Sequence, residues 1–170
     1  MMEEIRFKAG VLTMSDKGSR GERVDESGKL AGRILEDDGF EITEYKIVPD
    51  KVEDIVSTIK EWCDIKKLSL IVTSGGTGLS PTDVTPQAML KVLDFEVPGM
   101  AEAMRAESLK KTPHAMISRA MAGVRGMTLI VNLPGSPKGV KENLAVVLPA
   151  LKHALSKLSG DPADCATPIK

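Results

Sequence analysis

The sequence predicts an α/β fold with a mostly parallel central sheet and helices on both faces. Three observations predict it. Strand-like runs alternate with helical patterns along the whole chain. The runs Leu68–Thr73 and Met127–Asn132 are apolar without polar alternation, as strands buried on both faces read. The polar and glycine-rich segments follow the strands, where folds of this class hold their ligands.

Phe7–Met14 is predicted as the first strand, with a polar loop over Ser15–Val24. Asp25 or Ser27 can cap a helix through Leu30, Ile34 and Leu35, which Gly39 ends. Phe40–Val48 is the second strand, broken by Pro49-Asp50. Val52, Ile55, Val56, Ile59 and Cys63 then recur at helical spacing. After the central strand, Thr85-Pro86 reads as an N-cap and a proline in the first turn of a helix reaching about Leu93.

Val97-Pro98-Gly99 reads as a turn and Met100–Lys110 as a helix stopped by Thr112-Pro113. His114–Ser118 begins another short helix. Ala122–Gly126 reads as a connector or an extra edge strand, and Met127–Asn132 as the last buried strand. Val140, Leu144, Val147, Leu148, Leu151, Leu155 and Leu158 form the closing helical pattern, where Pro149 predicts a kink or a fresh start. Residues 1–160 make one domain in this reading, and residues 161–170 a flexible tail.

The 170 residues suffice for a full hydrophobic core. A net charge of −1 offers no global attraction for nucleic acid, and 3% aromatics leave few stacking platforms, so no nucleic-acid partner is expected. No apolar run is long enough to span a membrane, and Met1–Gly10 has no signal-peptide pattern. Cys63 and Cys165 lack metal-ligand spacing, so a reducing cytoplasm is the expected setting and Cys63 a small core residue.

The chemistry concentrates in Ser74-Gly75-Gly76-Thr77-Gly78. Its three glycines permit positive φ and bring bare N–H groups to a ligand, with a helix N-terminus close behind. The spacing matches neither the P-loop nor the dinucleotide fingerprint. Alone it reads equally as an anion site or as a tight glycine-rich turn. Four strand exits carry polar residues, however: Ser15-Asp16, Pro49-Asp50, Ser74–Asp83 and Asn132–Lys138. Acidic residues among anion-attracting loops point to a hydrated Mg²⁺ between carboxylates and phosphates.

The motifs TSGGTG, DVTP (Asp83–Pro86), PGMAEAMR (Pro98–Arg105), MISRAMAGVRG (Met116–Gly126) and LIVNLPGSP (Leu129–Pro137), in this order, resemble the MoaB/Mog family of molybdenum-cofactor biosynthesis. Within it the chain is similar to the molybdopterin adenylyltransferases. The resemblance covers nearly the whole chain. It implies a three-layer α/β sandwich, a homotrimer, and binding of ATP, molybdopterin and Mg²⁺. The implied reaction transfers AMP to the terminal phosphate of molybdopterin and releases pyrophosphate. The product would pass to a separate molybdenum-insertion protein.

By the same resemblance Asp50 and Asp83 correspond to catalytic, metal-holding carboxylates. Gly75, Gly76, Thr77 and Gly78 correspond to the nucleotide and phosphate loop, joined by Ser15 and Asp16. Ser108 and Ser118 correspond to pterin contacts, and Asn132, Pro134, Gly135 and Ser136 to the loop closing the pterin pocket.

Plainer roles stand beside these. Asp83 can be a helix cap, Asp50 a turn residue, and Ser118 a buried hydroxyl. Arg105 and Arg119 can be surface cations or a phosphate clamp. Lys17, Arg20 and Arg23 form a solvated basic loop or steer phosphates. His114 reads as structural, and Met100, Met104, Met116 and Met121 as core or subunit-contact residues. At the level of function the alternative is a non-catalytic molybdopterin-binding or assembly protein of the same fold.

Overall fold

The computed structural model describes residues 6–162. Cys165 and nearly all of the expected tail lie outside the described residues. The elements are β1 (Lys8–Met14), the single turn α1 (Asp16–Ser19), α2 (Glu26–Asp37), β2 (Glu41–Val48) and α3 (Val52–Lys60), which a π-helical turn (Glu61–Ile65) extends. Then come β3 (Leu70–Ser74), α4 (Thr85–Val92), the two-residue β4 (Phe95–Glu96), α5 (Pro98–Leu109), a 3₁₀ turn (Pro113–Ile117), β5 (Ala122–Arg125), β6 (Thr128–Leu133) and α6 (Pro137–Leu158).

Among the described residues the strands form one sheet, in the order β2-β1-β3-β6-β5-β4. The first four are mutually parallel, whereas β5 and β4 join antiparallel. The central strands feed two cores by alternation. Val11, Leu70, Val72, Leu129 and Val131 pack under α2, α5 and α6. Leu12, Ile71 and Ile130 pack under α3 and α4. Period-two side chains on strands covered from both sides explain why the sequence shows continuous apolar runs. The three-layer, mostly parallel α/β architecture is therefore as predicted.

Several local expectations change. Pro98-Gly99 is not a turn but the first turn of α5, where the missing N–H of proline costs no hydrogen bond. β5 lies inside β4, so it is not at the edge. α6 runs through Pro149 as one helix of 22 residues, without a fresh start. Pro149 and Ala145, whose carbonyl it leaves unbonded, both face solvent, where water can replace the lost bond. The buried stripe Leu144, Leu151 and Leu155 holds the helix on the sheet, each side chain contributing about 1.5–3 kcal/mol. Burial pushes the Cys63 thiol up to about 11, which suits a core residue and not a nucleophile. No helix among the described residues is long and apolar enough to cross a membrane.

Candidate active site

Because β1, β2, β3 and β6 are parallel, their carboxyl ends open on one edge of the sheet. β1 has β2 on one side and β3 on the other, so chain order reverses there and leaves a crevice. At this crevice Ser15 caps α1 by accepting from the Gly18 N–H at 3.0 Å. Two aspartates then tie the exits of β1 and β2 together. The Asp16 N–H donates to Asp50 Oδ2 and the Asp50 N–H donates to Asp16 Oδ1, each at 3.0 Å. Asp50 Oδ1 keeps no protein donor among the described residues. Burial pushes the Asp50 carboxyl above its ordinary range. The charges of Asp16 and Asp83 add to this, against the stabilising Asp16 N–H.

The glycine loop closes the crevice from the β3 side. Gly75 and Gly76 have φ of +100° and +66°, which glycine adopts without strain. Space forbids side chains there as well. A Cβ on Gly75 would lie 2.6 Å from the Met14 carbonyl, and one on Gly76 would lie 2.3 Å from Thr85 Oγ1 and 3.5 Å from Asp50 Oδ1. Thr85 is not the expected N-cap. It is the first helical residue, and its hydroxyl donates to the Gly75 carbonyl at 2.9 Å while its N–H donates to the Gly76 carbonyl. Tertiary bonding of the loop has claimed the hydroxyl.

Asp83 does not cap α4 either, since that helix has no side-chain cap. Its Oδ2 accepts from the Ser80 N–H at 3.0 Å, and Oδ1 has no protein donor among the described residues. The N–H groups of Gly76, Thr77, Gly78, Gly135 and Ser136 likewise reach no protein acceptor among the described residues. They form a set of donors open to an anion.

The exit of β6 is fastened against this loop. The Gly75 N–H donates to the Leu133 carbonyl, Ser74 Oγ to the Pro134 carbonyl, and Ser27 Oγ to the Gly135 carbonyl. Ser136 caps α6. The result is two cavities with the glycine loop between them. The first, about 570 Å³, is bordered by Ser15, Asp50, Gly75, Gly76, Asp83 and Gly135. The second, about 400 Å³, is bordered by Thr77, Gly78, Arg105, Ser108, Ser118 and Pro134. Ser136 lines both.

The predicted site residues thus converge, with two exceptions. Asp16 reaches the first cavity through Asp50. Asn132 lines neither cavity: it is fully buried in β6, its amide donating to Thr73 Oγ1 and accepting from the Met121 N–H. Ser118 is half-buried beside the second cavity rather than buried away from it.

The two arginines differ. Among the described residues Arg105 uses only Nη1, on the Ala120 and Ser118 carbonyls, and Nε and Nη2 meet no acceptor there beside the second cavity. Arg119 engages each of its three guanidinium nitrogens, on Gly78, Gln87 and Asp83. Of the basic loop, Arg20 pairs with Glu22, whereas Arg23 lines the first cavity. Sequence reasoning left Asp25 as one of two candidate caps and missed its larger role. It caps α2 through the Gly28 N–H and also accepts from the Thr13 and Tyr45 hydroxyls, fixing α2 to β1 and β2 under the first cavity. Burial, then the Asp25 carboxylate, push the Tyr45 phenol up. The pairing of Tyr45 with Val11 across the strands was the missing signal, and only the register supplies it.

Fold and site together define an α/β protein whose crevice sets open backbone N–H groups beside the carboxylates of Asp50 and Asp83. The chain belongs to the family described as "Probable molybdopterin binding domain", whose model matches residues 10–153. It is 40% identical over 154 residues to a molybdopterin adenylyltransferase of Helicobacter pylori, covering 89% of this chain and 88% of that protein. It is 43% identical over 170 residues to gephyrin of Dictyostelium discoideum, spanning 94% of this chain but 24% of gephyrin. Among solved structures it is similar to the molybdopterin biosynthesis enzyme MoaB of Thermus thermophilus, with a TM-score of 0.86 at 52% identity, covering 93% of this chain and 99% of that one.

Proposed function

We propose that the chain is an ATP-dependent molybdopterin adenylyltransferase, moving AMP from ATP to the terminal phosphate of molybdopterin and releasing pyrophosphate. The observation that carries this reading is the glycine loop acting as a shared wall. Its open N–H groups stand between a cavity bearing the Asp50 and Asp83 carboxylates and a cavity bearing fixed cations.

A phosphate monoester is already an anionic nucleophile. Its oxygen forms a bond to the α-phosphorus of ATP as the bond to the β-phosphate oxygen breaks, and pyrophosphate carries away the electron pair. No general base is needed, so the protein's task is alignment and neutralisation of charge. The N–H groups of Gly76–Gly78, Gly135 and Ser136 orient phosphate oxygens. Arg105 and Lys138 hold the pterin-side phosphate.

Asp50 and Asp83 fit a Mg²⁺, each offering one unbonded hard oxygen. Such an ion would take its remaining ligands from phosphates and water. When bound, the ion neutralises phosphate charge.

The test is pyrophosphate release from ATP with Mg²⁺, with and without molybdopterin. Release only when molybdopterin is present supports the reading. Tight pterin binding without release establishes the non-catalytic alternative. The proposal extends to a cytoplasmic homotrimer that hands its product to a molybdenum-insertion protein. Of the four methionines from Met100 to Met121 only Met116 is exposed, and with Ile117 it supplies apolar surface for such contacts. A stable monomer in light scattering at working concentration rejects the trimer.

A further inference from the structure

Residues 78–83 carry Asp83 on a segment with little hold on the rest of the protein. Leu79, Ser80, Pro81 and Thr82 are all exposed. The bonds within the segment are local: the Ser80 N–H to Asp83 Oδ2, the Asp83 N–H to the Ser80 carbonyl, and the Ser80 and Thr82 hydroxyls to each other. Among the described residues, every hydrogen bond that joins this segment to the remainder of the chain comes from one side chain, that of Arg119. Its Nε donates to the Gly78 carbonyl at 2.8 Å and its Nη2 to the Asp83 carbonyl at 2.7 Å. Its own N–H donates to the Thr77 carbonyl at 2.8 Å, and Nη1 reaches Gln87 Oε1 at 3.4 Å.

All these acceptors are neutral, so ion pairing does not account for the arrangement. A planar fork that spans two carbonyls at the two ends of an exposed excursion does. We infer that Arg119 is the positioning residue of Asp83: it clamps both ends of the segment that presents this carboxylate and touches no substrate itself. The inference rests on the adenylyl-transfer reading. It extends the machinery to the segment after the 3₁₀ turn, of which Ser118 borders the second cavity.

A carboxylate displaced by about 1 Å can forfeit roughly 100-fold in rate. A lysine brings one charge with no fork, so it reaches one carbonyl or the other. The experiment places Arg119→Met and Arg119→Lys in the wild type and in Asp83→Asn. It measures AMP transfer, KM for molybdopterin and melting temperature. The expected result is a fall in kcat of about 100-fold for Arg119→Met and a smaller fall for Arg119→Lys, with KM for molybdopterin nearly unchanged.

In the Asp83→Asn background either substitution costs little more, because the clamp acts through Asp83. A merely structural arginine gives the same fractional loss in both backgrounds, and that result overturns the inference, as does an undiminished kcat. If Arg119→Met fails to fold, Arg119→Lys in the two backgrounds decides on the same criterion. An inactive wild type overturns the adenylyl-transfer reading and this inference with it. An active wild type with active Arg119 variants overturns the inference alone.

Discussion

The two cavities share a wall and follow opposite electrostatic plans. The first is bordered by Asp25, Glu26, Asp50 and Asp83 against Arg23. The second is bordered by Arg105, Lys111 and Lys138 against Glu142, which already pairs with Lys111 at 3.2 Å. On the proposed reading, the same backbone donors would serve two different means of handling phosphate. On one side a cation would arrive with the ligand, because the protein offers carboxylates. On the other side fixed cations would receive the anion directly. A site that joins two polyanions needs this asymmetry, since fixed cations alone on both sides would hold substrates and products alike.

The largest expected effect lies on the acidic side. Asp83→Asn keeps shape and removes charge, so adenylylation should fall about 100-fold or more while molybdopterin affinity stays near normal. Asp50→Asn should behave alike, and the double variant should lose less than the two losses combined, because both act on one ion. Steady-state transfer and pterin titration on the three variants check this, and normal transfer in Asp83→Asn removes the catalytic assignment.

Gly76→Val strikes the wall itself. The side chain meets Thr85 Oγ1 and Asp50 Oδ1 at a φ of +66°, so both ligands should lose affinity. Strain of about 1–3 kcal/mol should also lower the melting temperature. Unchanged binding of ATP and molybdopterin by the folded variant would show that the loop is only a turn.

Chelating Mg²⁺ should separate the two cavities. ATP affinity should drop at least about tenfold, or 1.4 kcal/mol, with molybdopterin affinity unmoved. Equal loss for both ligands, read by calorimetry with and without chelator, breaks the comparison. In the opposite sense, Lys138→Met should weaken molybdopterin alone, several-fold at low salt and less as salt screens this exposed charge.

The smallest effect is on stability. The Asp50 carboxyl is held above its ordinary 3.8. A raised acid stabilises the fold below that ordinary value, and the contribution is lost as pH rises through the raised value. Ionised Asp50 is thus a cost at neutral pH without metal. Asp50→Asn should melt slightly higher than wild type there, and the gap should close as pH falls below the carboxylate range. Mg²⁺ should raise the melting temperature of the wild type more than that of the variant. Melting curves across pH that show Asp50→Asn less stable at neutral pH reject this account.

Much of this was legible before the fold was known. Runs such as Leu70-Ile71-Val72 announce a strand covered on both sides, because each residue has an apolar core waiting on its own face. Parallel strands then force four polar exits onto one edge. The sequence could not supply the bonds made across the fold. Asn132 sits beside Leu133-Pro134-Gly135 and looks like a loop residue, yet its register opposite Thr73 places it inside the sheet. Thr85-Pro86 has the local form of a cap, but the Gly75 carbonyl takes the hydroxyl. Which oxygen of Asp50 stays open depends on an N–H 34 positions away in the chain. Arg119 reads as one more cation until its acceptors are seen to be carbonyls.

The shared wall has a consequence for inhibition. Gly75 and Gly135 approach so closely that a Cβ on Gly135 would lie 3.3 Å from the Gly75 Cα, and Ser136 borders both chambers. On the proposed reading, two ligand heads would therefore be held a short, fixed distance apart. A single two-headed compound, with a nucleoside phosphate at one end and a phosphorylated heterocycle at the other, would lose its translational freedom once instead of twice. Its second head would meet its chamber at a local concentration set by the tether, so modest affinities for the separate halves would multiply. A tether too short to pass over the Gly75–Gly78 wall would forfeit the whole gain.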